Sequence, residues 1–225
     1  MVLVRVVRAG KGETYDIELA EDLLKANERI ASENREKLRS LGVKAIDIMG
    51  SVGSGKTSLI EQLVRNLREK YRIAAIAGDL GTVIDSSRIA KHGVEVLQIN
   101  TGKECHLDAN LVRRALEGID LKRVNLLFIE NVGNLICPAE FPLGSEKRVV
   151  VISLTEGPYM VVKHPFTFMS ADVVAINKMD LEEVLDVDAD GLERDVNQVN
   201  PRAKVVRISC KTGMGIMEIA KALGL

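Results

Sequence analysis

The chain contains no run of about eighteen apolar residues and no charged-then-apolar leader at its start, so a soluble, cytoplasmic protein is expected. Charge of either sign is not in excess: the formal net charge is −1, which favours neither nucleic acid nor an anionic membrane as a partner. Cysteine is scarce, with three residues in the whole sequence, too few for a disulfide framework. Internal repeats and low-complexity segments are absent. What is present is 225 residues with 46% hydrophobic content, enough for an α/β domain with a sizeable core.

Apolar strand-like runs near residues 45–49, 72–77, 94–99, 124–130, 148–154, 172–177 and 204–209 alternate with helical stretches. That alternation predicts an α/β fold, a mostly parallel sheet with helices on both faces. The beginning of the chain differs. A β-like stretch over residues 2–7 precedes an amphipathic helix over about residues 20–41, with Leu23, Leu24, Ile30 and Leu38 at helical spacing and Gly42 at its end. The expected division is an N-terminal appendage over 1–43 and a nucleotide-binding domain over 44–225.

The strongest local signal is Gly50-Ser51-Val52-Gly53-Ser54-Gly55-Lys56-Thr57, which fits the phosphate-loop pattern G-x-x-x-x-G-K-S/T. A strand-like run precedes it and a helical one, beginning Ser58-Leu59-Ile60, follows. The chemistry needs that context, because loop N–H groups and a helix N-terminus must converge on one anion. Gly50, Gly53 and Gly55 let the backbone curl around phosphate, Lys56 reaches the β and γ oxygens, and the Thr57 hydroxyl suits Mg²⁺. Ser54 and Ser58 complete the cradle.

Asn177-Lys178-Met179-Asp180 follows the apolar run ending at Ile176, at the strand edge where ligands of parallel sheets gather. Asp180 can accept hydrogen bonds from guanine N1–H and its exocyclic amine, which adenine lacks. Asn177 would read the other purine edge and tie this loop to the phosphate loop, while the Lys178 stem covers the ring. Ser209-Cys210-Lys211 follows another strand and has the form of a loop that backs guanine with main-chain N–H groups. GTP and GDP are therefore the expected nucleotides.

Magnesium and γ-phosphate sensing are assigned less directly. Glu130-Asn131-Val132-Gly133-Asn134 ends a buried-strand signature, where Glu130 suits Mg²⁺ and Gly133 a hinge that senses the γ-phosphate. Asp79 ends another strand and Asp85 lies just beyond it. Either could serve Mg²⁺, and the competing use of Asp85 is to cap a helix starting near Ser86.

Cys105-His106 follows Thr101-Gly102-Lys103-Glu104 at the start of a predicted helix, and Cys137 precedes Pro138 just beyond the Gly133 hinge. Thiolate and imidazole select Zn²⁺ or Ni²⁺ over Mg²⁺. One chain offers three such ligands, short of a closed site, and a symmetric dimer could complete it. The alternative is a small buried cysteine beside an exposed histidine. His92 and His164 read as surface or hydrogen-bonding residues.

Taken together, the phosphate loop, Glu104-Cys105-His106, Glu130-Asn131-Val132-Gly133-Asn134-Leu135-Ile136-Cys137-Pro138 and the Asn177–Asp180 motif resemble the HypB family from the first helix to the end of the chain. That resemblance implies a signal-recognition/MinD-type P-loop fold, slow GTP hydrolysis, and nickel or zinc held by Cys105, His106 and Cys137 at the interface of a GTP-favoured homodimer. It implies service in nickel–iron hydrogenase maturation, with a HypA-type nickel donor and the hydrogenase large-subunit precursor as partners. Lys163 would reach the partner's nucleotide. No cysteine precedes Cys105, so the N-terminal nickel store of many bacterial relatives is not expected. The rival expectations are a metallochaperone for urease or a cobalamin enzyme, and a GTP-regulated dimeric scaffold with structural zinc.

Overall fold

The computed structural model describes residues 17–185 and 187–225. Each strand-like run becomes a strand: β1 Lys44–Met49, β2 Ile73–Asp79, β3 Glu95–Asn100, β4 Leu126–Glu130, β5 Lys147–Ser153, β6 Val173–Asn177 and β7 Lys204–Arg207. They form one sheet in the order β3-β2-β4-β1-β5-β6-β7, and every ladder is parallel. The central strands are apolar on successive residues, as a sheet covered on both faces requires.

The helices between them are α1 Ile17–Ser40, α2 Lys56–Leu67, α3 Ile84–Ala90, α4 Ala109–Glu117, α5 Cys137–Glu140, α6 Met160–Lys163, α7 Pro165–Met169, α8 Glu182–Leu185, α9 Ala189–Val199 and α10 Ile216–Ala222. Strand periodicity divides the core. Ile46 and Ile48 of β1 point to the face where α2 and α10 pack, through Leu59, Leu63 and Ile219. Ala45 and Met49 point to the other face. There one apolar cluster gathers Ala45, Ile129 and Leu38 of α1 with Val112 of α4, and a second gathers Met49 and Val150 with Val161 of α6 and Phe168 of α7.

The first helix begins at Ile17 and ends at Ser40, close to the expected span, and Gly42 follows at φ +71°. The β-like reading of residues 2–7 lies outside the described residues. Two boundaries differ from expectation. Helix α4 starts at Ala109 because Asp108 caps it, accepting from the Leu111 N–H at 2.7 Å, so Cys105 and His106 sit in the loop before the helix. Helix α3 starts at Ile84, so Asp85 is inside its first turn and does not cap it. No described helix is long and apolar enough to cross a membrane.

From β1 the chain passes to β2 on one side, and from β4 it crosses to β5 on the other. The carboxyl edge of β1 is therefore the topological switch point where α/β sheets bind ligands.

Candidate functional site

A cavity of about 580 Å³ opens at that edge, lined by Gly53, Gly55, Lys56, Thr57, Ser58, Asp79, Asp85, Glu130, Asn177, Lys178, Asp180, Cys210 and Lys211. The residues singled out from both nucleotide motifs and from the acidic strand ends, with Gly133, thus converge on one space. Gly50, Ser54 and Ser209 lie beneath it as supports, and Lys163 is exposed at the end of α6, away from this chain's cavity.

The phosphate loop is set by backbone geometry. Gly55 has φ +105°, and a Cβ there would collide with Asn177 Nδ2, so only glycine fits. Lys56 is buried and donates from Nζ to the Ser51 carbonyl at 3.1 Å. Burial pulls its pKa down, opposed by the charges of Glu130, Asp85, Glu156 and Asp79. The hydroxyls of Ser51 and Ser54 are buried without a hydrogen-bond partner among the described residues. Two orphaned polar groups beside a buried ammonium suit an anion.

Opposite them, the Thr57 hydroxyl donates to Glu130 Oε1 at 2.6 Å, while Glu130 Oε2 is buried without a partner among the described residues. Burial pushes the Glu130 carboxyl up to about 7, against the pull of the Thr57 hydrogen bond and the Lys56 charge. Asp79 accepts from the N–H groups of Gly81 and Thr82 at 2.8 and 2.6 Å. Burial pushes its pKa up, but those bonds outweigh it and hold the group below its ordinary value. A hydroxyl and clustered carboxylates are hard oxygen donors, the set Mg²⁺ prefers.

At the far end, Asn177 is a buried joint. Its Nδ2 donates to the Ser54 carbonyl at 2.8 Å, and its Oδ1 accepts from the N–H groups of Lys178 at 2.8 Å and Cys210 at 3.1 Å. The expected tie to the phosphate loop is present, and the third loop joins it. Asp180 receives the Ser209 hydroxyl at 2.6 Å and lies 3.7 Å from Lys211 Nζ. The Ser209 bond leads in holding its carboxyl below the usual range. Lys178 sits at φ +67° with Nζ on the Thr155 hydroxyl at 2.9 Å. Burial lifts the Cys210 thiol to about 11.

No arginine stood among the expected site residues. Arg88 of α3 lines the cavity, held by Ser58 Oγ at 2.9 Å and by Glu61, with Asp85 at 3.7 Å. Its signal was an arginine one helical turn beyond Asp85.

The softer donors form a second cluster. Cys105 Sγ lies 2.9 Å from Cys137 Sγ, well beyond the ~2.05 Å of a disulfide, and 3.9 Å from His106 Nδ1. The three ligand atoms fall within 4.8 Å of one another, and each residue is half-buried. The imidazole stacks on Phe141 with ring centroids 3.9 Å apart, and Asn134 Nδ2 donates to Cys137 Sγ at 3.5 Å. Cys137, which opens α5, has its thiol pushed up by the Cys105 contact and by burial. Helix α1, part of the expected appendage, braces the surroundings. Asn27 Oδ1 accepts from the Ala109 N–H at 2.8 Å, and Asn34 Nδ2 donates to the carbonyls of Ala109 at 2.8 Å and Leu143 at 3.1 Å.

Known proteins share this fold. The family described as "CobW/HypB/UreG, nucleotide-binding domain" matches residues 44–207. A relative from Methanocaldococcus jannaschii, described as a probable hydrogenase maturation factor HypB, is 52% identical over 90% of this chain and 92% of its own. The crystal structure of hydrogenase maturation factor HypB from Archaeoglobus fulgidus superposes with a TM-score of 0.83 at 43% identity, covering 89% of this chain and 98% of that one. HypB from Helicobacter pylori, solved in complex with nickel, gives a TM-score of 0.83 at 34% identity over 88% of this chain and 93% of its own.

Proposed function

The chain belongs to the CobW/HypB/UreG family of nucleotide-binding domains, and from that membership we propose that it is a GTP-dependent metallochaperone of hydrogenase maturation. It binds GTP, hydrolyses it slowly, and couples its nucleotide state to nickel binding and delivery. The observation that carries this reading is the shared segment over residues 130–137: Glu130 faces the nucleotide cavity and Cys137 belongs to the thiol–imidazole cluster.

The phosphate loop and Lys56 hold the β and γ phosphates, and Asp180 with Asn177 selects guanine. Thr57 and Glu130, with Asp79 or Asp85, are the residues that would hold Mg²⁺, which when bound neutralises charge on the β and γ oxygens. Catalysis rests on fixed donors and charge in a preorganised cavity. Lys56 supplies positive charge, and Arg88 stands ready beside Ser58. Without a glutamine to orient water, turnover is slow, on the order of the unassisted Ras rate.

Cys105, His106 and Cys137 take nickel as cargo, or zinc, and a second copy of the chain completes the coordination in a GTP-favoured homodimer. Lys163, exposed on α6, reaches the partner's nucleotide in that dimer. The protein acts in the cytoplasm between a HypA-type donor and the hydrogenase large-subunit precursor, with residues 1–43 as an appendage to the GTPase domain over 44–225. Linkage makes the coupling reciprocal: if GTP changes metal affinity, metal changes the preference between GTP and GDP.

The test is titration of nickel and zinc into protein loaded with GDP or with a non-hydrolysable GTP analogue, with the dimer fraction measured in parallel. Metal affinity and dimerisation should both shift with nucleotide. Equal zinc affinity in both states, with nickel unable to displace it, would mean a closed structural site.

A further inference from the structure

Strand β1 leads straight into the phosphate loop, yet its third-from-last residue is a carboxylate in an apolar run. Asp47 is wholly buried, and Arg148 stands directly across from it on β5. Arg148 Nε donates to Asp47 Oδ2 at 3.0 Å. Both side chains project from the face that carries Ala45, Met49 and Val150, at the seam between the two apolar clusters there. Neither lines the nucleotide cavity.

A buried ion pair is weak evidence for stability, since well-packed apolar residues often serve as well. What distinguishes this pair is where its remaining bonds go. Arg148 Nη1 donates to the Ala139 carbonyl at 3.3 Å and to Ser170 Oγ at 2.8 Å. Ala139 is two residues beyond Cys137 in α5. On the other side, Asn131 Nδ2 donates to Asp47 Oδ1 at 3.5 Å, and Asn131 Oδ1 accepts from the Leu107 N–H at 3.1 Å. Leu107 is the residue after His106. Asn131 also accepts from the Val132 N–H at 3.0 Å, so the segment carrying the Gly133 hinge hangs on the same amide.

A continuous chain of hydrogen bonds, buried as far as Arg148 and partly buried beyond it, therefore runs from the Cys105–His106 loop, through Asn131, Asp47 and Arg148, to the helix that bears Cys137. We propose that Asp47 and Arg148 are positioning residues for the Cys105–His106–Cys137 cluster, fixing the separation of its two loops relative to the strand that carries the phosphate loop. The proposal rests on the metal-binding reading given above and adds the device that sets the geometry. Partners of this kind, which orient ligands without touching metal, change metal affinity by about 10–100-fold when removed.

The test uses the full chain with the paired substitution Asp47→Leu/Arg148→Met, which replaces the ion pair by apolar residues so that no buried charge is stranded. Arg148→Lys is the second variant, because an ammonium can answer Asp47 but cannot also span to Ala139 and Ser170. Zinc affinity is measured by competition with a chromophoric chelator, GDP affinity with a fluorescent analogue, and Cys137→Ala is the control. We expect both variants to bind GDP within threefold of wild type and zinc at least tenfold more weakly. Wild-type zinc affinity in a folded variant overturns the proposal. If Cys137→Ala leaves zinc affinity unchanged, the metal reading itself has failed, and amide exchange at Leu107 and Val132 decides the network alone. Exchange at least tenfold faster in the variants supports the positioning role, and unchanged exchange overturns it.

Discussion

Thr57 Oγ1 and Glu130 Oε1 are joined by a 2.6 Å hydrogen bond, leaving Glu130 Oε2 buried and unanswered among the described residues. A carboxylate oxygen facing a cavity without a donor is poised for a cation or a proton. Burial accordingly holds the carboxyl pKa at about 7 in the folded, metal-free protein.

That value fixes a pH dependence. Because the folded pKa lies above the unfolded one, the folded state holds the proton more tightly between about pH 4.5 and 7. Metal-free protein therefore loses stability as pH rises through that window, by roughly 3 kcal/mol, and the loss is complete above pH 7. Glu130→Gln should flatten the profile and raise the melting temperature in chelator at pH 8 by on the order of 5 °C. It should also lower Mg²⁺-dependent phosphate release by about 100-fold or more. A wild-type melting profile flat from pH 5 to 8 would contradict the assignment.

Base selection is tested at Asp180, whose carboxylate is oriented by Ser209 and Lys211. Hydrogen bonds to a charged group contribute about 1.5–3 kcal/mol each, and guanine offers Asp180 two. Asp180→Ala should weaken GTP binding by about 100-fold while leaving ATP binding nearly unchanged, so the ratio between them collapses. Competition binding measures it. An unchanged preference for GTP would place base recognition elsewhere.

Asn177 should behave differently, because it works on the protein before it works on the ligand. Its amide answers three backbone groups from three loops. Asn177→Ala strands those groups beneath the cavity, at a cost of about 2–3 kcal/mol. The expected result is a lower melting temperature and an equal loss of GTP and GDP affinity. Loss of both affinities at wild-type stability would argue for a direct contact with the base instead.

All seven strands could be read from the sequence because each is a short apolar run bounded by turn residues, and a sheet buried on both faces leaves little ambiguity. The phosphate and guanine loops were equally plain, since each motif is contiguous and sits at a strand end. Asp47 and Arg148 were hidden for the opposite reason. They are 101 residues apart and meet only through the β1–β5 register, so neither advertises the other, although a lone Asp in Ala45-Ile46-Asp47-Ile48-Met49 was a visible irregularity. Arg88 was missed because a single helical arginine carries no pattern. The competing use of Asp85 as a helix cap fails because the helix begins before it, at Ile84.

The phosphate loop and the segment leading to Cys137 meet directly. Gly50 and Asn134 form an isolated antiparallel bridge between the phosphate loop and the segment over 131–134. At Gly133 the backbone lies so close to Val52 that a Cβ would come within 2.5 Å of Val52 Cγ2 and 3.2 Å of its Cα. The contact leaves no room for a side chain as it stands, and it ties the phosphate loop to the glycine four residues before Cys137. Gly133→Ala requires the Val52 side chain to rotate and its backbone to give by about a few tenths of an ångström, which disturbs the packing of the two segments. We expect GDP to bind within about threefold of wild type, hydrolysis to fall at least tenfold, and nickel affinity to lose its dependence on nucleotide, since a ligand shifts an equilibrium only by its differential affinity for the two states. Nickel titration on the GDP and GTP-analogue forms of Gly133→Ala reads this directly. If the nickel affinities still differ between the two forms as they do in wild type, the coupling does not pass through the Val52–Gly133 contact.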